Sequence, residues 1–208
     1  GTPATVKPQP LKFLKTAENT AVAKSGFTAG TLKADVTSTW DYDGLMRVDL
    51  TLQPSGDKKV DALTLDIPFR SSAATHYHAM GDGIRNTLYD KVPAGDGVVW
   101  TAAKVQSGDL PRNFCTYIYV GTPVRGLCWF AENDRGWGWD PKTPNVELVR
   151  EKDRVILRVH LINVPQVIAN PRVLTFGLMA APVKPRITPD WRYKFRRDRY
   201  SLLGTDIN

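Results

Sequence analysis

The sequence predicts an all-β protein, an antiparallel β-sandwich of two large sheets built from about a dozen strands with little helix. Three observations predict it. Apolar and polar residues alternate with period two, as where Met46, Val48, Leu50 and Leu52 are interleaved with Arg47, Asp49, Thr51 and Gln53. The alternating runs are short and are separated by breaks rich in Gly, Pro and Asp. No amphipathic helical pattern longer than two turns occurs. At 208 residues the chain can bury a sizeable core, and a sandwich of this length forms one domain.

Residues 1–19, with Pro3, Pro8 and Pro10 near their start and little periodicity, read as an extended arm or linker. The sandwich is expected over residues 20–183. It begins with Ala21 to Lys24 and Phe27 to Asp35, with Gly26 and Gly30 as breaks or bulges. Val36 to Tyr42 then alternates up to Asp43-Gly44 and returns through Met46 to Leu52, a hairpin pattern. After the turn at Pro54 to Asp57, Leu63, Leu65, Ile67 and Phe69 mark a strand whose Pro68 places it on an edge or at a bulge. Thr75 to Met80 is a short strand, Gly81 to Gly83 a turn, Arg85 to Lys91 a weak segment, and Val98 to Val105 another strand. Cys115 to Val120, an unbroken apolar and aromatic run, suits a strand buried on both faces. Gly121 to Gly126 supplies a reversal into a strand at Leu127 to Ala131. Val146 to Arg150 and Arg154 to Ile162 form a hairpin around Glu151-Lys-Asp153. After a connector from Asn163 to Pro171, Val173 to Met179 is the last strongly apolar strand.

The net charge of +7 is concentrated at one end: between Lys184 and Arg199, seven basic side chains face two carboxylates, a net +5. The body is therefore almost neutral. A nucleic-acid partner would want basic and aromatic residues interleaved across the body, so none is expected, and residues 184–208 read as a basic linker toward a following domain. No apolar run approaches the roughly 20 residues of a membrane span. Cys115 and Cys128 lie on the two arms of the hairpin. With the turn centred on Thr122 to Val124, Cys128 faces residue 118 or 119, about three positions, or roughly 10 Å, from Cys115. A disulfide needs Cα atoms within about 7 Å, so two buried free thiols are expected unless the turn is shifted.

Nucleotide-binding, nucleophile-elbow and zincin fingerprints are absent from the sequence, and no cofactor is implied. His76 and His78, two apart on a strand, point to one face as a metal pair would. Two ligands do not make a zinc site, and no Cys or carboxylate stands at a characteristic spacing, so half-buried strand histidines are expected. His160 reads as an exposed strand residue. The segment in which chemistry is to be sought is Glu132-Asn-Asp-Arg-Gly-Trp-Gly-Trp-Asp140 with Trp129 just before it. Glu132, Asp134 and Asp140 offer carboxylates of the kind glycosidases pair, although Arg135 stands among them to neutralise them. Trp129, Trp137 and Trp139 offer flat faces of the kind that stack on sugar rings, or large apolar surfaces that bury.

The string Gly126-Leu-Cys-Trp-Phe-Ala-Glu-Asn-Asp-Arg-Gly-Trp137 resembles the N-terminal β-sandwich domain of bacterial proteins of the glycoside hydrolase family 123-like group. Phe176 to Pro185, Pro189-Asp-Trp-Arg192 and Leu65-Asp-Ile-Pro68 are similar to further parts of that domain, including its end before a catalytic (β/α) barrel. In that family the resemblance places glycan cleavage in the barrel, through an adjacent Asp-Glu pair. No Asp-Glu dipeptide occurs in this chain, so no catalytic residue carries over. The resemblance implies a non-catalytic accessory domain of a secreted or periplasmic glycan-processing protein, packing on a barrel of the same polypeptide. The alternatives are a carbohydrate-binding module using residues 132–140 and, more distantly, a glycosidase with its own carboxylate pair. The expected ligand-binding or docking residues are Trp129, Glu132, Asp134, Arg135, Trp137, Trp139 and Asp140, with both indoles of the loop presented outward.

Overall fold

The computed structural model describes residues 3–81, 87–105 and 114–182. The basic segment 184–208 and the turn expected at Gly81 to Gly83 lie outside them, wholly and in part respectively. Among the described residues fifteen strands run in the order β1 (Val6–Thr16), β2 (Thr20–Ala29), β3 (Leu32–Asp41), β4 (Leu45–Leu52), β5 (Lys59–Val60), β6 (Leu63–Arg70), β7 (His76–Met80), β8 (Thr87–Lys91), β9 (Gly97–Thr101), β10 (Tyr117–Gly121), β11 (Gly126–Phe130), β12 (Val146–Glu151), β13 (Arg154–Ile162), β14 (Gln166–Val167) and β15 (Arg172–Ala181). The only helical pieces described are two 3-10 turns, Ser71–Ala73 and Ala102–Lys104.

The strands form an antiparallel sandwich. One sheet has nine strands, β1-β2-β3-β4-β15-β11-β10-β7-β8; the facing sheet has four, β6-β13-β12-β9; and β5 and β14 pair separately. The last strand, β15, is inserted between β4 and β11, so strands distant in sequence close the centre of the large sheet. Its inner face contributes Leu50, Leu52, Ile118, Val120, Trp129 and Leu174 to the core, and the small sheet contributes Trp100, Leu148, Val155, Leu157 and Val159. β4 shows why: Val48, Leu50 and Leu52 are buried in strict alternation, while Arg47, at the outer surface, is exposed. The expected hairpins are present, with Trp40 opposite Met46 and Val146 opposite Val159. Pro68 sits on β6, an edge strand of the small sheet.

Several local readings are corrected. Gly30 is a break, at φ +59° in the turn between β2 and β3, so the single run expected from Phe27 to Asp35 is divided between two strands. Val6–Thr16, expected as part of an extended arm, is extended but pairs along its length with β2, and every residue of it is exposed. The 115–120 run is not buried on both faces: Ile118 and Val120 enter the core, while Tyr117 and Tyr119 are half-buried on the outer face. His160 is not exposed but half-buried, its Nε2 3.1 Å from a Glu147 carboxylate oxygen. Two residues earlier on the same face, the Arg158 guanidinium donates to both Asp66 oxygens, at 2.9 and 2.7 Å, across β13 and β6.

Candidate functional site

The loop after β11 crosses from one sheet to the other. At its start the Ala131 N–H donates to the Thr116 carbonyl at 2.9 Å. A tight turn follows, with the Arg135 N–H donating to Asn133 Oδ1 at 3.0 Å and the Trp137 N–H to the Asp134 carbonyl at 3.0 Å. Gly136 takes φ +80°, and a Cβ there would stand 2.6 Å from the Val173 carbonyl, so the loop needs glycine where it passes over β15. Beyond it Gly138 joins the small sheet. Its N–H donates to the Leu161 carbonyl at 2.9 Å and its carbonyl accepts from Asn163 and Val164 at 2.8 and 3.1 Å. The Asp140 N–H then donates to Asn163 Oδ1 at 2.8 Å, and the Asp140 carboxylate accepts from the Lys142 N–H at 2.9 Å, closing a turn.

A loop stitched to both sheets carries its tryptophans inward. Trp129, Trp137 and Trp139 are 0%, 9% and 8% exposed. Phe114 lies 5.4 and 5.5 Å, centroid to centroid, from the Trp137 and Trp139 rings, and Trp129 stands edge-on to Trp137 at 6.1 Å. The expectation that Trp137 and Trp139 are presented outward, as a sugar platform or a docking surface, is therefore corrected, and Trp129 is equally unavailable. The physical reason is the open end of the sandwich: two large indoles fill the gap between the sheets, and burying them stabilises more than displaying them.

The remaining loop residues separate. Asp140 is engaged at the small-sheet end, whereas Glu132 and Arg135 stand at the other end, exposed, on the rim of a cleft in the outer face of the large sheet. Asp134 does not line that cleft. The cleft, of roughly 460 Å³, lies between β4, β15 and β11, with Arg47, Phe130, Val173, Thr175 and Gly177 among its other walls. Its floor depends on one glycine. Phe130 is the cross-strand partner of Gly177, and a Cβ at Gly177 would stand 2.2 Å from the ring, so the ring lies directly over the bare backbone of β15. Beside it Arg47 pairs with Asp49 at 3.0 Å, and Thr175 Oγ1 donates to the same carboxylate at 2.6 Å. Among the described residues, the Glu132 carboxylate and the Arg135 guanidinium have no side-chain partner.

Sequence reasoning passed over what continues from this cleft. Pairing registers put Phe130, Tyr117, Met80, Tyr119, His78 and Tyr89 on the same outer face. The rings touch: His76 stacks on Tyr89 at 5.8 Å and 13°, and His78 stands edge-on to Tyr117 at 5.7 Å and to Tyr89 at 6.3 Å. Period two through His76 and His78, and again through Tyr117 and Tyr119, was the available signal. His76 Nδ1 is 2.9 Å from Thr75 Oγ1, and among the described residues no group of three metal-ligating side chains gathers around the pair.

Both cysteines are free and buried. Cys128, opposite Tyr119 on the outer face, lies 3.2 Å from Tyr117 Oη, whereas Cys115 precedes β10 and donates to the Tyr117 carbonyl at 3.0 Å. Burial pushes the Cys115 thiol up to about 12 and raises Cys128, and burial with the Cys128 contact raises Tyr117. A raised folded value means that the unfolded chain loses these protons first, so stability is full below the unfolded thiol range and falls as pH rises toward the folded values. The urea midpoint is expected to fall between about pH 8 and pH 11, less steeply in Cys115→Ala. An equal slope in the variant would remove Cys115 as a source of the alkaline loss.

These features define an antiparallel β-sandwich module with a plugged end and an open, mixed-polarity cleft on its broad sheet. The family model described as "Glycoside hydrolase 123, third domain" matches residues 1–108, slightly more than half the chain, and the chain belongs to that family. Of the strings that carried the resemblance in sequence, only Leu65 to Pro68 falls inside the matched span. No curated protein matches. Among solved structures, a protein from Escherichia coli K12 provisionally described as an aldose 1-epimerase is similar at 9% identity and a TM-score of 0.46, covering 82% of this chain and 67% of that one.

Proposed function

We propose that the chain is a non-catalytic accessory domain that packs on the catalytic barrel of the same glycoside hydrolase polypeptide. The observation that carries this reading is the mismatch between the sheets. At ~4.8 Å per strand spacing, the nine-stranded sheet spans about 38 Å and its four-stranded partner about 14 Å. The overhang falls at β1, every residue of which is exposed, whereas Leu32 and Ala34 on the inner face of β3 belong to the core. Phe13 and Val6 pair with Ala23 and Ala29 and so share the inner face, yet each is 57% exposed, with Trp40 6.1 Å from Phe13. An apolar strip left open in one domain is where another domain fits. The edge itself, with Lys7, Lys12, Lys15, Pro8 and Pro10, resists strand addition, so the partner meets the face. Family membership supports a catalytic barrel as the occupant, since the resemblance implies that cleavage belongs to the barrel.

In the parent polypeptide, Phe13→Lys is expected to uncouple unfolding into two transitions while leaving the melting temperature of the 208-residue chain unchanged, because Phe13 is already largely exposed. A parent protein whose unfolding and glycosidase activity ignore Phe13→Lys would sink this reading. Turnover of aryl N-acetylhexosaminides by the isolated chain, abolished by Glu132→Gln, would overturn the non-catalytic assignment.

A further inference from the structure

We propose that the cleft bounded by Arg47, Phe130, Glu132, Arg135 and Thr175 is a binding site for a neutral saccharide, and that the aromatic row running from it to Tyr89 continues the site for an extended glycan. This goes beyond the packing role and uses the opposite face of the large sheet. A sugar ring presents an apolar C–H face and a rim of hydroxyls that each donate one hydrogen bond and accept others. Its binding site therefore combines an aromatic surface with both acceptors and donors at the side.

The cleft supplies that combination. The Phe130 ring, half-buried over Gly177, forms an apolar floor, and Leu45 and Val173 extend it. Glu132 accepts only, Arg135 donates only, and Asn133 and Thr175, which do both, also line the cleft. The planar carboxylate and guanidinium reach vicinal hydroxyls with two parallel hydrogen bonds, and charge-assisted bonds of this kind are the stronger ones. With no partner among the described residues, Glu132 and Arg135 need not break an existing pair to bind. Arg47 is already balanced by Asp49, so the cleft holds two cations against two carboxylates. A phosphate or sulfate would meet Glu132, and a neutral ligand meets no net field.

The row beyond the floor argues for length. Phe130, Tyr117 and Met80 are successive cross-strand partners, with Tyr119, His78 and Tyr89 in the neighbouring row. From β8 to β4 five strand spacings of ~4.8 Å give about 24 Å, longer than one sugar ring. Tyr89, at the far end, is 62% exposed. The tyrosines and histidines keep polar edges beside their ring faces, which suits a chain of sugars better than an apolar protein surface.

The test is calorimetric titration of the 208-residue chain with cellotetraose, the β-1,4-linked N-acetylglucosamine tetrasaccharide, and N-acetylgalactosamine. At least one tetrasaccharide is expected to bind saturably and more tightly than the single sugar. Glu132→Gln and Arg135→Ala, both on exposed side chains, should each weaken it by about tenfold or more without moving the melting temperature. Tyr89→Ala should weaken the tetrasaccharide and spare the monosaccharide. Absence of binding by all three sugars up to about 10 mM would overturn the proposal. Affinity unchanged in the Glu132→Gln, Arg135→Ala double variant would do so as well. Neither result bears on packing through β1, which Phe13→Lys tests separately.

Discussion

Alanine in place of Trp129 or Trp137 is expected to lower the unfolding free energy by about 3–5 kcal/mol, the range of core aromatic truncations. Trp129 is fully buried on β11, and Trp137 bridges between it and Phe114. Removing either ring leaves a void at the end of the sandwich that the loop cannot refill, because Gly136 is held against Val173 and Gly138 against Leu161. The indole N–H groups of Trp129 and Trp137 have no acceptor among the described residues. Phenylalanine at either position removes an unsatisfied donor while keeping much of the apolar volume, so its cost should be well below that of alanine. Urea unfolding followed by circular dichroism measures both. A loss below about 1 kcal/mol for Trp137→Ala, together with weakened sugar binding, would restore the exposed-platform reading of the loop.

Asn145→Ala is expected to cost a comparable amount, about 2–5 kcal/mol, through polar groups rather than volume. Asn145 is fully buried. Its side-chain amide accepts from the Cys115 N–H at 2.7 Å and donates to the Cys115 carbonyl at 3.1 Å, and its own carbonyl accepts from the His160 N–H at 2.8 Å. One side chain thus satisfies both backbone groups of a residue 30 positions away and ties the entry of β10 to the small sheet. Truncation strands a donor and an acceptor where water does not replace them, at about 1–3 kcal/mol each. Asn145→Asp keeps the acceptor but loses the donor and buries a charge, so it should not rescue. Against a total stability of about 5–15 kcal/mol, either class of variant unfolds a large part of the margin. A urea midpoint for Asn145→Ala close to that of the unsubstituted chain would refute the tie.

The site was only partly legible. Glu132 and Arg135 were picked out because charged residues bunch in one loop, and they do meet at one cleft. The other walls, Arg47, Phe130 and Thr175, come from three strands whose adjacency exists only once β15 has inserted between β4 and β11. Asp140 was grouped with Glu132 by closeness in sequence, but the loop between them spans both sheets, so the two carboxylates are held by different ones.

By itself the sequence determined most strands from Thr20 onward, most hairpin partners, an edge or bulge position for Pro68, and a hairpin register that sets Cys128 against position 118 or 119 and leaves both thiols free. Each of these is local: a side-chain period of two fixes the face, and a turn fixes the register. Only the tertiary structure decided which way the tryptophans of a glycine-hinged loop point, since a loop has no period and its burial is set by Phe114 and β13. It also decided that Tyr117 and Tyr119 line an outer face rather than a second core. An aromatic residue satisfies either environment equally well from the standpoint of pattern, and what lies across from it, here solvent on one side of a nine-stranded sheet and a four-stranded sheet on the other, is a property of the assembled layers.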